Sequence, residues 1–193
     1  SESLKAGAKG AFAYGDRLDF KSDLNALTAQ IKTTKDSGTV ITDLPKWIEH
    51  DAVNDRTYAY GDDGNFYQEN AGTWAALTAP TTAKGQGMRI WNDYVYLRKT
   101  SAVATYGLLS GTPTLTQSHA TITGNIQTEN DHAPINEFLG NLYFANGRFL
   151  GEWDGTTWTY NKITLPVGWK IRAMAVLGED LWMGGWQGTN VYD

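Results

Sequence analysis

The chain has 193 residues, a formal net charge of −5 and no cysteine; 41% of its residues are hydrophobic and 19% charged. The basic residues are scattered, which argues against a sequence-independent nucleic-acid binder and against a basic membrane-surface patch, because both depend on concentrated positive charge. Without cysteine there is no disulfide framework, thiolate metal site or cysteine nucleophile, and no stretch reaches the ~18 apolar residues of a membrane-inserted helix.

The aromatic residues (8 Trp, 10 Tyr and 6 Phe) come with 21 Gly. Aromatic side chains suit pleated, half-buried strands, and glycine supplies the positive φ angles of tight hairpins. Many short strands joined by short turns are the expected outcome.

In chain order, Ser1 to Gly10 lacks the apolar stretch of a signal peptide. Residues 1–17 are expected to be an N-terminal arm. Leu18 to Phe20 reads as a short strand. Leu27 to Lys35 and Thr39 to Leu44 alternate on either side of Ser37-Gly38, a hairpin expected to form outer strands of a first or closing unit.

A repeat follows. In its first copy Trp47 to His50, Arg56 to Tyr60, Asn65 to Glu69 and Thr73 to Leu77 are strands, separated by turns at Asn54-Asp55, Asp62-Asp63-Gly64 and Ala71-Gly72. The second copy is looser: Met88 to Trp91, Asn92-Asp93, Tyr94 to Arg98, Ala102 to Tyr106 and Thr114 to Gln117. The third is the clearest. Ile135 to Leu139 turns at Gly140-Asn141, Leu142 to Ala145 at Asn146-Gly147, and Phe149 to Trp153 at Asp154-Gly155 into Thr157 to Asn161. A fourth copy has Ile171 to Leu177, a turn at Gly178-Glu179-Asp180, then Leu181 to Gly184, with room for about three strands.

The second strands, marked by Tyr58, Val95, Leu142 and Leu181, are 37, 47 and 39 residues apart. Four short strands on a period near 40 are the mark of propeller blades, which bury their faces on one another. The expected fold is all-β: a β-propeller domain over residues 18–193, about four blades of four-stranded antiparallel sheet. A β-sandwich is the alternative; the fixed order of turns favours the propeller. Because Val191-Tyr192-Asp193 falls inside a unit, the ring is expected to be incomplete, and to be finished by further chain, by a partner, or by the 27–44 hairpin.

Motifs for chemistry are sparse. His50, His119 and His132 lack the short spacings of a zinc site. His50-Asp51 and Asp131-His132 could pair as base and orienter, but loop residues are often adjacent in this way without catalytic consequence. Gly85 to Met88 is too short for a phosphate loop, and there is no G-x-S-x-G elbow. Asp62-Asp63-Gly64-Asn65 lacks the alternating oxygen ligands and terminal Glu of a calcium loop. The reading is therefore of a non-enzyme, with no catalytic residue, metal or cofactor expected. Trp182 and Trp186, near Gly184-Gly185, are the best candidates for a loop platform that stacks on sugars, against the simpler reading of blade packing.

Glu152-Trp153-Asp154-Gly155-Thr156-Thr157-Trp158 resembles the Asp-box of sialidases and other propellers, although here Asp154 directly precedes Gly155. That box is structural: its Asp bonds turn amides and its Trp packs beneath the hairpin. The six scattered arginines give no sialidase cluster. Together with residues 34–48, Tyr106 to Thr114 and Gly188 to Asp193, this stretch resembles uncharacterised propeller-like, virion-associated proteins of tailed bacteriophages, from about Asp19 onward. The resemblance implies a structural component of the virion, of its tail or fibres, contacting other virion proteins. It carries over no functional residue. The alternative is a carbohydrate-binding propeller that recognises a host-surface glycan. Lectin propellers tend to repeat their binding residues in every blade. Here the other copies read Asn70-Ala-Gly-Thr-Trp74 and Ser110-Gly-Thr-Pro113, an irregularity that favours the scaffold.

Overall fold

A computed structural model describes residues 18–19, 28–29, 41, 45–81 and 84–187. The chain divides into two compact units, Ser1–Asp36 and Ser37–Asp193. In the first, β1 (Leu18–Asp19) pairs antiparallel with β2 (Thr28–Ala29). Thr28–Ala29 and Ile41 apart, the 27–44 hairpin lies outside the described residues, as do the 1–17 arm and the Val191–Asp193 end.

The second unit is a succession of antiparallel meanders. The first blade is β3 (Pro45–Asp51), β4 (Arg56–Gly61), β5 (Phe66–Asn70) and β6 (Thr73–Ala76). The second is β7 (Gly87–Trp91), β8 (Tyr94–Arg98), β9 (Val103–Gly107) and β10 (Thr114–Thr116). The third is β11 (Ile135–Phe138), β12 (Asn141–Asn146), β13 (Phe149–Trp153) and β14 (Trp158–Thr164). A two-stranded ribbon, β15 (Trp169–Leu177) and β16 (Asp180–Gln187), begins a fourth. The three full sheets each run in simple sequence order. Tyr58, Val95, Leu142 and Leu181 all fall on second strands, as the repeat requires. The only helical piece among the described residues is a single 3₁₀ turn, Thr123–Asn125.

The turns explain the register. Asn92 and Asp93, with φ of 45° and 67°, fill the two centres of the β7–β8 hairpin, and Ala71 and Gly72 do the same between β5 and β6; tight hairpins with this twist need positive φ at both positions. Two predicted turns move by a residue. The centre between β11 and β12 is Leu139-Gly140, not Gly140-Asn141. Asn141 is drawn into the strand, where its Nδ2 donates to Glu152 Oε1 at 2.7 Å. Between β12 and β13 the centres are Gly147 and Arg148, not Asn146-Gly147: Asn146 pairs with Phe149 in the ladder, and only Gly147 has positive φ.

Alternate residues of a middle blade go to opposite neighbours, because side chains on a strand alternate between its faces. Val95 and Leu97 meet Tyr58, Tyr60 and Phe66 of the first blade. Tyr96 meets Leu142, Phe144 and Trp153 of the third. Ala145 and Leu150 of the third meet Ile171, Met174, Leu181 and Met183 of the ribbon. The first strands β3, β7, β11 and β15 lie side by side along the inner wall of the arc. Among the described residues the ribbon packs on the third blade and not on the first, so these sheets do not close into a ring. The 47-residue spacing is explained by the long connector between β10 and β11, whose Ile122 and Ile126 enter the core between the second and third blades.

Candidate functional site

Trp182 and Trp186 both lie on β16, so their platform is a strand and not a loop. Gly184 opposes Ala173 and Gly185 opposes Ile171, across a bulge that leaves Arg172 unpaired. Leu181 and Met183 pack inward on the third blade, which puts Trp182 and Trp186 on the far face. Trp182 is 59% exposed and opposes Ala175; Trp186 is half-buried and opposes Lys170. Four strand residues separate the two indoles by about 13 Å, too far to share one sugar ring. The far face is Trp182 flanked by the small, exposed Ala173 and Ala175.

The histidines do not sit beside the carboxylates next to them in sequence. Asp51 caps its turn by accepting from Val53 N at 3.0 Å, while His50 Nδ1 lies 3.2 Å from Thr57 Oγ1. Asp131 Oδ2 accepts from Arg172 Nη2 at 3.1 Å. His132 instead stacks on Trp47, with ring centroids 5.5 Å apart and planes within 3°. Burial, then Arg172 and Lys46, hold the His132 pKa below its ordinary value. Asp62 is paired with Lys46 at 2.8 Å, and Asp63 accepts from Asn65 N at 2.9 Å. Among the described residues no group of three or more His, Cys, Asp or Glu is placed to hold a metal.

A charged network missed in the sequence ties the blades together. Glu129, only 3% exposed, accepts from Arg172 Nη2 at 2.9 Å and Lys170 Nζ at 3.1 Å. Gln86 donates to the Glu129 carbonyl. Arg98 is fully buried and donates to the carbonyls of Lys99, Ala102 and Gln127. Burial pulls its pKa down to about 10. On the inner wall, Arg89 Nη1 lies 3.3 Å from Glu49 Oε1. Burial raises the Glu49 carboxyl, with Arg89 acting the other way.

Two concavities stand out. An axial groove of about 510 Å³ is lined by Arg89, Asn136, Glu137, Met174 and Val176. Asn136 Nδ2 spans it by donating to Met174 O at 2.8 Å. A second cavity, of about 370 Å³, lies between the second and third blades, with Tyr94, Tyr96, Thr105, Thr116, His119 and Trp153 in its walls. Trp153 Nε1 donates to the Tyr96 hydroxyl at 3.3 Å.

The Asp-box-like stretch is structural in the way its residues imply. Asp154 Oδ1 accepts from Thr156 N at 2.7 Å and Thr157 N at 2.6 Å, and these bonds lower its pKa. Trp158 lies edge-on to Phe144 and over Gly151, where any Cβ would enter its ring.

No protein-family model matches the chain, and no curated protein does. Among solved structures, the computationally designed Ika4 protein aligns with a TM-score of 0.53 at 7% identity, covering 78% of this chain and 96% of its own. The computationally designed Ika8 protein aligns with a TM-score of 0.49 at 11% identity over 72% of this chain, which spans 44% of Ika8. The likeness to Ika4 speaks for the fold alone.

Proposed function

We infer that the chain is a non-enzymatic scaffold that works by protein–protein contact, and that it is a structural component of a tailed-phage virion, of the tail or its fibres. The observation that carries the scaffold reading is the far face of β15–β16. In the three preceding blades, the face turned toward the next copy is covered by that copy through apolar side chains. The corresponding face of the ribbon leaves Trp182 59% exposed beside exposed Ala173 and Ala175. An exposed indole beside small apolar residues on a sheet face suits a contact site. The partner it fits is another sheet: a flat apolar face for Trp182, and a strand for the outer edge of β16, which is unpaired among the described residues.

The virion assignment rests on the sequence stretches set out above. It is tested on density-purified particles of a phage that encodes this chain. Quantitative mass spectrometry should recover tryptic peptides such as residues 149–162 in a fixed ratio to a known tail protein. Their absence from washed particles would remove the virion reading. The contact face is tested separately with Trp182→Glu, which should release the chain from the assembly without unfolding it.

A further inference from the structure

We propose that the cavity between the second and third blades is a binding site for one uncharged pyranose ring. Its construction is independent of the scaffold reading. Tyr96, Thr105 and Thr116 are direct cross-strand neighbours on β8, β9 and β10, so they form a row on the face turned toward the third blade. The two threonines are too small to fill the space that an aromatic row would occupy. Trp153 on β13 lines the far side, and the connector contributes His119, whose ring centroid lies 5.0 Å from that of Trp153. The resulting volume, about 370 Å³, is within the range of small-ligand pockets, roughly 300–1,000 Å³.

The wall chemistry selects the ligand class. None of the residues lining this cavity is Asp, Glu, Lys or Arg. An ionic ligand entering here would lose its hydration and gain no counter-charge. The His119 ring is set for donation. Its Nδ1 accepts from Ile122 N at 3.2 Å, so the neutral ring carries its proton on Nε2. Burial lowers its pKa and keeps that neutral form. The hydroxyl-bearing side chains of Tyr94, Thr105 and Thr116 line the cavity. Aromatic surfaces from Tyr94 and His119, with several neutral donors and acceptors, match a sugar ring, which has apolar C–H faces and hydroxyls around its edge. Ligands of this size bind at about 1 mM.

The test uses the full chain and five probes: the methyl glycosides of glucose, galactose, mannose and N-acetylglucosamine, with adenosine as a flat, neutral competitor class. Saturation-transfer NMR detects binding, and calorimetric titration gives Kd. At least one glycoside should bind in the millimolar range and adenosine should not. Thr116→Val keeps the shape of an exposed edge-strand residue and removes one hydroxyl; it should weaken binding about fivefold to tenfold. Tyr94→Phe should act similarly, and the two together should take binding below detection. Unchanged thermal unfolding of these two variants certifies the fold. Four results would each overturn the site: no glycoside binding, preferential binding of adenosine, binding indifferent to both variants, or binding abolished by Trp182→Ala, which would move the sugar to β16.

Discussion

The buried carboxylate of Glu129 should behave as a clamp between the connector before β11 and the ribbon β15–β16. Glu129→Gln keeps the shape and removes the charge. Two charge-assisted bonds are affected. Such bonds are worth about 1.5–3 kcal/mol when shielded from water. Arg172 is 17% exposed and Glu129 3%, so that bond keeps most of this value. Lys170 is 40% exposed, and its contribution falls to the ~0–1 kcal/mol of surface pairs. The Gln amide still accepts one hydrogen bond, so the net loss should be about 2 kcal/mol, or roughly 4–8 °C in Tm for a unit of this size. The assay is urea unfolding followed by tryptophan fluorescence at pH 7. A double-mutant cycle with Arg172→Met separates the pair from the remaining contacts of each residue. A coupling of about 1.5 kcal/mol is expected. Additivity within about 0.5 kcal/mol would refute the clamp, because the two groups would then act independently.

Gly151→Ala should cost about 2–3 kcal/mol by the same assay, since its Cβ enters the Trp158 ring, which is itself wedged against Phe144; a change under about 0.5 kcal/mol would mean the indole is free to move. Trp182→Ala should leave stability within about 0.5 kcal/mol, because most of that side chain is already solvated, yet weaken attachment to the assembly about thirtyfold or more; co-sedimentation with particles reads the second quantity. On the acid side, His119 and His132 have pKa values held below the ordinary 6.5 by burial. The unfolded chain therefore takes up protons that the native state refuses, and stability should fall as pH drops below about 6.5. Replacing both by Gln should flatten that slope in urea titrations at pH 5 and 7. On the alkaline side, burial raises the phenols of Tyr58, Tyr60 and Tyr96 above the ordinary 10.0. Their stabilising effect is complete below pH 10 and is lost above it as the unfolded chain ionises. The exposed tyrosines ionise in the folded protein, but the share of tyrosinate absorbance due to these three should appear only with loss of the fold; ionisation of all the tyrosines in the folded protein would contradict their burial.

What could be read from the sequence was what is local. A hairpin is set by a few residues at its turn, so Tyr58, Val95, Leu142 and Leu181 could be placed on second strands without knowing what they touch. Even there the Leu139-Gly140 turn was misplaced by one residue, because leucine rarely adopts the positive φ that it has here. The contacts between blades were not legible. Nothing adjacent to Asp131 reveals that Arg172 takes its carboxylate, or that Trp47 takes the ring of His132. Consecutive glycines usually break strands, so Gly184-Gly185 suggests a loop platform for Trp182 and Trp186 even though Leu181 to Gly184 reads as a strand. In the fold, the glycines let Trp169 and Ala173 lie close to β16 instead.

A signal for those contacts does exist, at the period of the repeat. Arg89 and Glu49 are 40 residues apart, Asn136 and Met174 are 38, and Arg172 and Glu129 are 43. Each pair occupies nearby slots in successive copies, which is what stacking of like units produces. Polar partners between blades should therefore be sought at one repeat's distance, and these three pairs involve first strands or the segments leading into them. This concentrates rigidity on the inner wall, where Glu49, Arg89, Asn136 and Arg172 tie neighbouring blades. The outer strands carry fewer such ties: β14 is exposed over Thr159–Thr164, and β10 is three residues long. Binding is best placed where a rigid wall meets replaceable positions. The cavity edged by Thr116 and the open face around Trp182 both satisfy that condition, whereas the axial groove, spanned by the Asn136 bond to Met174, is committed to holding the arc together.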